Sequence, residues 1–288
     1  MADIALGAAP ARRNLDGFWI LPPLLVLALL FFYPLALIIR ASLGDGAPSL
    51  ATFEQVLGSR QFIDGLYHTI VIAICSTIGC LLLGFVLSVV FAFVPFPGAR
   101  LASRLIDTVI ALPTFLVTLA FTFIYGSAGI LNETLMHAFA LQLPPIDFLY
   151  SQWGVVLAEV TVYTPFVMRP LLATFSQIDH AQIEVASSLG ARPLRIVRKV
   201  IFPAALPALV AGGSLCLLLT VNEFGIVLFI GAKDVITLPL LIYSKAIQEF
   251  DYATACVIAV VNIALSLGLY TLYRIIVAHF GGSNAGVV

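Results

Sequence analysis

Six long apolar runs, separated by polar connections, divide this chain of 288 residues. Each run contains at least the roughly 20 residues that an α-helix needs to cross the ~30 Å hydrocarbon core of a bilayer. Only 10% of the residues are charged, whereas soluble domains carry about 25%. We therefore predict an all-α membrane protein with six transmembrane helices, at 18–40, 66–94, 105–125, 154–175, 204–230 and 252–277.

The basic residues are divided unequally between the two surfaces that these helices define. One surface carries Arg12, Arg13, Arg100, Arg104, Arg169, Arg192, Arg195, Arg198, Lys199 and Arg274. The other carries Arg40, Arg60, Lys233 and Lys245, together with most of the acidic residues. Because cytoplasmic loops are enriched in Lys and Arg, the first surface is expected to be cytoplasmic. An even number of crossings then places both termini in the cytoplasm.

The polar stretch 179–207, between the fourth and fifth predicted crossings, carries helical signals of its own. Asp179 and Gln182 have the spacing of a capping box, so a short helix can begin there. Gly190 is suited to end that helix, because glycine adopts the left-handed conformation at no steric cost. Pro193 then suits the first turn of a second short helix, where its missing N–H does no harm.

This second short helix is predicted to be amphipathic. Its apolar face would contain Leu194, Val197 and Ile201, and its basic face Arg192, Arg195 and Lys199. A basic loop between two crossings can be no more than a solvated cytoplasmic loop. Because a bare loop would not need a helix–turn–helix, we interpret the stretch as a docking surface for another protein.

The same stretch resembles a known motif. Glu184, Val185 and Ala186 are followed after three residues by Gly190, and nine residues later by the segment 200–203, which ends at Pro203. This order is similar to the cytoplasmic loop E-A-A-x3-G-x9-I-x-L-P of binding-protein-dependent ABC importer permeases. Three positions depart conservatively: Val185 for Ala, Val200 for Ile and Phe202 for Leu. The resemblance extends over about 67–274.

The resemblance implies a type I ABC importer permease fold in a bacterial inner membrane. It implies an ATPase-coupling loop at 176–203, with the candidate residues Glu184, Ala186, Gly190, Arg192, Arg195 and Pro203. The implied partners are cytoplasmic ATPase subunits, which would hold the ATP and Mg²⁺, a second permease copy or paralogue, and a periplasmic substrate-binding protein. The expected divisions are a tail at 1–17, a first crossing at 18–40, a permease core at 67–277 and a disordered tail at 278–288.

Two glutamates fall inside predicted crossings, where an ionisable group normally faces a partner or a water-filled path. Glu223 lies in V-N-E-F-G, upstream of T-L-P-L, and both segments are similar to those of molybdate, sulfate and ferric-iron permeases. The resemblance suggests that Asn222 and Glu223 border the translocation path, with Glu159 a weaker candidate. It also suggests an oxyanion, a phosphonate or ferric iron as cargo. Alternatively, Glu223 is hydrated at the outer interface and Glu159 forms a helix–helix hydrogen bond.

The sequence offers no catalytic constellation. It lacks the G-x-x-x-x-G-K-[S/T] phosphate-binding loop, H-E-x-x-H and G-x-S-x-G. We therefore expect no catalytic residues, metal site or cofactor in this chain, and a net charge of −1 does not favour nucleic acid. Two other functions stay open: an ATP-independent secondary transporter that uses Glu159 and Glu223 as proton relays, and a membrane scaffold that carries no cargo.

Overall fold

A computed structural model describes residues 20–44 and 50–280. The predicted tail 1–17 lies outside these residues, as do positions 281–288 of the predicted C-terminal tail. The α-helices are α1 Leu21–Ser42, α2 Ala51–Leu57, α3 Arg60–Phe93, α4 Ala99–Ala111, α5 Thr114–Tyr125, α6 Ile130–Phe139, α7 Gln152–Phe175, α8 His180–Ser188, α9 Pro193–Ile196, α10 Phe202–Val221, α11 Gly225–Ile230, α12 Leu238–Tyr243 and α13 Tyr252–Phe280. Two π-helical turns occupy Val197–Ile201 and Ser244–Gln248.

Six stretches of the described chain are long and apolar enough to cross a bilayer, which confirms the all-α membrane fold with six spans. They are Leu21–Ser42, Arg60–Phe93, Thr114–Phe139, Gln152–Phe175, Pro193–Val221 and Tyr252–Val277. The centre of the protein is formed by α3, α7 and α10, which pack against one another. In contrast, α1 packs on α13 and has Ser42 as its one buried residue.

Close packing at the centre depends on glycines. A methyl group placed on Gly79 of α3 would lie 2.6 Å from Val160 Cγ2, and one on Gly84 would lie 2.9 Å from Val167 Cγ1. From the other side, a methyl group on Gly212 of α10 would lie 3.0 Å from the Val167 backbone. Small residues of this kind let membrane helices approach closely, so α7 is held between α3 and α10.

The fourth crossing is continuous, although it contains Pro165 and Pro170. The helix α7 runs from Gln152 to Phe175 and contains both prolines. Each proline removes one backbone hydrogen bond, but Val167, which lies between them, is fully buried against α3 and α10. Packing from two neighbours therefore maintains the helix where its own hydrogen bonds are missing.

The third crossing begins and ends later than the predicted 105–125. It is the stretch Thr114–Phe139, and a break in the chain separates it from the preceding helix α4. The chain is extended at Leu112 and Pro113, with ψ angles of 135° and 137°. This break separates α4 from α5, because the residue before a proline is disfavoured in the helical region. Asp107 of α4 pairs with Arg169 of α7, whereas Tyr125, at the end of α5, packs against Phe148 just before α7 begins. Together α4 and α5 therefore run antiparallel to α7 along its length.

The fifth crossing begins earlier and ends earlier than the predicted 204–230. Helix α9, a π-helical turn and α10 form one helical stretch, Pro193–Val221. The π-helical turn, Val197–Ile201, ends just before Pro203, whose ring would otherwise crowd the preceding turn. The predicted second short helix of the loop is therefore the first part of a crossing, and the chain breaks again at 222–224, before α11.

Candidate functional site

The first helix of the loop begins where the sequence predicted. Asp179 is the N-cap of α8, and its Oδ1 accepts a hydrogen bond from the Ala181 backbone N–H at 2.9 Å. Gln182 bonds through its backbone N–H to the Asp179 carbonyl at 3.0 Å. An aspartate cap satisfies a donor that the helix leaves free and favours its N-terminus electrostatically.

The same helix ends at Gly190, as predicted. Gly190 has a φ of +78°. Its N–H donates to the Ser187 carbonyl at 2.9 Å, and the Ala191 N–H donates to the Ala186 carbonyl at 3.0 Å. This pair of bonds is a Schellman motif, which requires the left-handed conformation at the residue after the C-cap. A Cβ at Gly190 would meet no atom within 4 Å, so backbone conformation alone demands glycine here.

The apolar face predicted for the second helix is partly wrong. Pro193 does begin that helix, and Ile201 is buried. Leu194, however, is 80% exposed, whereas Ile196 is buried against the core. Because helical residues advance by about 100° each, Ile196 lies nearly opposite Leu194. The core therefore receives Ile196, and Leu194 points away from the protein.

Three apolar side chains of the loop are exposed: Val185, Leu189 and Leu194, which are 59%, 82% and 80% exposed. We call these residues the loop patch. Four exposed cationic residues lie in the same part of the chain: Arg192, Arg195, Arg198 and Lys199. Among the ion pairs of the described residues, none includes a member of this basic group. An exposed apolar group rimmed by charge is typical of a protein-binding surface.

The other predicted loop residues have distinct surroundings. Glu184 is exposed, and Ser188 Oγ donates to its backbone carbonyl at 2.9 Å, but its carboxylate joins no ion pair among residues 20–44 and 50–280. Ala186 is half-buried and packs against the core, which fixes α8 to the bundle. Pro203 is exposed in the first turn of α10.

Glu223 lies inside the protein rather than on its surface. It is 8% exposed, in the break between α10 and α11. One carboxylate oxygen accepts a hydrogen bond from the Tyr163 hydroxyl of α7, and Oε1 accepts from the Ile226 backbone N–H at 2.8 Å. The side chain therefore caps α11 and joins the break to α7. Tyr163 was not among the residues predicted from the sequence, although its hydroxyl group within an apolar run is a signal for such a partner.

Asn222, the preceding residue, is exposed. Its Nδ2 donates to the Leu218 carbonyl at 2.8 Å and to Ser266 Oγ at 3.3 Å. Its Oδ1 accepts from Asn262 Nδ2 at 3.0 Å. Asn262 and Ser266 of α13, which the sequence analysis missed, are four residues apart in an apolar run and so lie on one helix face. Asn262 and Ser266 therefore hold the side-chain amide of Asn222 at the surface of the bundle.

Glu159 is completely buried, one helical turn before Tyr163 on the same face of α7. Neither of its carboxylate oxygens has a hydrogen-bond partner in the part of the chain that is described, and the same holds for the buried hydroxyl of Ser76 on α3. The two predicted path glutamates thus lie in the interior of one subunit, and of the three predicted path residues only Asn222 is on its surface. In residues 20–44 and 50–280, no group of three or more His, Cys, Asp or Glu could hold a metal ion.

The end of the bundle opposite the loop carries a shallow groove of about 600 Å³. It is lined by Ser127, Leu143, Pro144, Asp147, Tyr150, Gly231 and Lys233. The Lys233 backbone N–H donates to the Tyr150 carbonyl at 3.0 Å, which ties the segment after α11 to the segment before α7. The groove therefore presents one acidic and one basic side chain on a fixed backbone.

Several proteins of known family are similar to this chain, some in sequence and others in structure. PhnU of Salmonella typhimurium, a candidate 2-aminoethylphosphonate transport system permease protein, is 63% identical over 94% of this chain and 96% of its own. The sulfate transport system permease protein CysT of the same species is 30% identical over 97% of this chain and 99% of its own. A crystal structure of a bacterial alginate ABC transporter with its periplasmic protein superposes with a TM-score of 0.81, at 17% identity, over 96% of this chain and 98% of the other.

Residues 81–282 match the model of the family described as the binding-protein-dependent transport system inner membrane component. This range contains the loop, the α10–α11 break and five of the described crossings in whole or in part. The chain is therefore a multi-pass inner-membrane protein, a permease subunit of an ABC importer, and belongs to the binding-protein-dependent transport system inner membrane component family.

Proposed function

We propose that this subunit, with a second copy or a related permease, forms a path for a small oxyanion-bearing solute. Separate cytoplasmic ATPase subunits would drive it through the loop 179–203. The observation that carries this proposal is the loop patch, whose Leu194 lies on the helical stretch Pro193–Val221 that becomes the fifth crossing. A partner that binds the loop patch therefore acts directly on a membrane-spanning helix.

The exposure of the loop patch supports docking of a protein. Burying a leucine side chain contributes about 1.5–3 kcal/mol, and Leu189 and Leu194 are both at least 80% exposed. The patch lies in a polar loop with four basic residues, so lipid chains do not cover it. The ATPase surface that fits is an apolar groove with an acidic rim, matched to the basic group.

The distribution of charge supports a cytoplasmic position for this loop. Arg100, Arg104 and Arg274 lie at the same end of the bundle as the basic group of the loop. Under the positive-inside rule, this end faces the cytoplasm and the groove at the opposite end faces the periplasm. Both termini then lie in the cytoplasm, and a periplasmic binding protein would dock over the groove with Asp147 and Lys233, near the exposed Glu133.

The cargo class is supported by the relatives and by the surface of the subunit. PhnU is named for an aminophosphonate and CysT for sulfate, and both anions carry tetrahedral oxygens. Ferric iron is not favoured, because hard cations need oxygen ligands such as carboxylates, and Glu159 and Glu223 are both buried within the subunit. The exposed amide of Asn222 is a neutral group that can contact a hydrated anion without holding it tightly.

Two measurements test this proposal. Purification in mild detergent should recover an ATPase with this chain, and proteoliposomes should accumulate 2-aminoethylphosphonate or sulfate only with ATP and a binding protein.

A pair of variants tests the docking site. Leu194→Asp should abolish binding of the ATPase, because an aspartate cannot enter an apolar groove. Leu143→Asp, at an equally exposed leucine of the opposite end, should leave the ATPase bound. Uptake that survives ATP depletion and stops with an uncoupler would contradict the proposal.

A further inference from the structure

The segment α4 lies just before the third crossing and packs against α7. It has 13 residues, and none of them is buried. Gly98, with a φ of +87°, precedes it, and the extended residues Leu112 and Pro113 follow it. The segment is therefore a short helix between two non-helical joints, Gly98 and Leu112–Pro113, at which the direction of the backbone can change.

In contrast, α5 is fixed to the bundle. Val117, Thr118 and Phe121 are buried, and Phe115 packs on Phe229 of α11 at 5.5 Å between ring centroids. The joint at 112–113 thus connects the third crossing, through α5, to the preceding helix α4. Movement of α4 relative to α5 about this joint displaces no fully buried residue of α4, although part of its surface packs on α7.

One ion pair joins α4 to α7. Arg169 Nε lies 2.9 Å from Asp107 Oδ1, which is the distance of a charge-assisted hydrogen bond. Arg169 lies on α7 less than two turns from Phe175, its last residue, and α8 of the loop begins at His180. The pair therefore connects α4 to the part of α7 that is closest to the loop.

The pair lies at a partly exposed surface between α4 and α7. Asp107 is about 12 Å along α4 from its first residue, and the side chains of Asp107 and Arg169 are 38% and 58% exposed. The ion pair therefore joins the two helices where neither charge is fully removed from water or from a protein partner.

Resting on the proposed function, we infer that α4 moves with α7 when the ATPase subunits move the loop. Asp107 and Arg169 are positioning residues that make it follow α7. When the loop moves with the ATPase, α7 carries Arg169, and the ion pair draws α4 about the joint at Leu112 and Pro113. Neither residue needs to contact the solute.

Charge reversal tests the inference. Arg169→Asp and Asp107→Arg each place like charges together, so each should lower ATP-driven uptake in proteoliposomes by about tenfold or more, because juxtaposed like charges repel. The double reversal restores an attractive pair and should recover uptake to within about threefold of the parent chain. Retention of the bound ATPase in every variant distinguishes this result from failure of the loop to dock.

A second measurement separates movement from stability. A cysteine at Thr108, an exposed position on α4, should change its alkylation rate when ATP and vanadate trap the closed ATPase, and Arg169→Asp should abolish that change. Reversal of Arg60 and Asp64, an exposed pair 3.9 Å apart near the other end of the bundle, is the matched control and should leave uptake unchanged. Normal uptake in the single reversals, or a double reversal as impaired as the singles, would overturn the inference.

Discussion

Tyr163 donates its hydroxyl hydrogen to the carboxylate of Glu223, and this bond joins the middle of α7 to the break between α10 and α11. The other oxygen of Glu223 caps the first turn of α11. A non-helical segment at bilayer depth has backbone groups that must be satisfied by protein. The Tyr163–Glu223 pair therefore fixes the geometry of the break and, through it, the outward direction of Asn222.

Removal of this pair should destabilise the protein in a graded order. Tyr163→Phe removes one hydrogen bond, whereas Glu223→Ala removes both and leaves the Tyr163 hydroxyl and the Ile226 N–H without their acceptor. A lost buried hydrogen bond with an unsatisfied partner costs about 1–3 kcal/mol. We expect the melting temperature in detergent to fall in the order parent, Tyr163→Phe, Glu223→Ala. Glu223→Gln keeps one acceptor oxygen and should lie between the parent and Glu223→Ala.

Gly190 should tolerate substitution according to backbone preference rather than side-chain size. Its Cβ position is open, but its φ of +78° costs most residues about 1–2 kcal/mol. Asparagine visits this conformation readily, so Gly190→Asn should retain ATPase binding and uptake. Gly190→Val, which is β-branched, should weaken both, because α8 can no longer end in the Schellman motif. If Gly190→Asn and Gly190→Val lost ATPase binding and uptake equally, side-chain size would be the cause, which would show that the ATPase fills the space beside Gly190.

Gly79 should be sensitive to size, because α3 approaches α7 there. The methyl group of Gly79→Ala would lie 2.6 Å from Val160 Cγ2. Overpacking of this kind costs about 1–3 kcal/mol, so the variant should unfold at a lower temperature. Val160→Ala added to Gly79→Ala should recover part of the loss. Gly268→Ala on α13, where a methyl group meets nothing within 4 Å, is the control and should be neutral.

Substitution of Asn222 should lower the rate of transport more than the stability of the fold. Asn222→Leu removes the exposed amide and leaves an apolar group on the proposed path, so we expect uptake of 2-aminoethylphosphonate or sulfate to fall by about tenfold while ATPase binding is retained, a loss of about 1.4 kcal/mol. Asn222→Gln keeps an amide and should be less impaired. Wild-type uptake in Asn222→Leu would remove this residue from the path.

The sequence predicted the crossings and the loop well, because both depend on local signals. Apolar length identified six spans, and the N-cap Asp179 and the terminating Gly190 follow from the chemistry of single residues. The predicted beginning of the fifth crossing, at 204, was too late because the helical residues from Pro193 onward were assigned to the polar loop. A π-helical turn accommodates Pro203, and its presence depends on neighbouring helices as well as on composition.

The direction of side chains was harder to predict. Asn222 and Glu223 are adjacent, yet one is exposed and the other is buried, since the helix breaks between them and α11. The side of α9 that faces the core was also misassigned, which placed Leu194 inside instead of Ile196. Both errors concern which partner an apolar or polar group meets, and this depends on residues far away in the chain, such as Tyr163 and Ser266.

The continuity of the stretch Pro193–Val221 has a mechanical consequence. Its 29 residues extend over about 44 Å at the rise of an α-helix. If one end is held, a tilt of only 5° sweeps the far end through an arc of about 4 Å. A modest rocking of Leu194 would thus displace Asn222, at the end of this stretch, relative to the proposed path without any rearrangement within the helix.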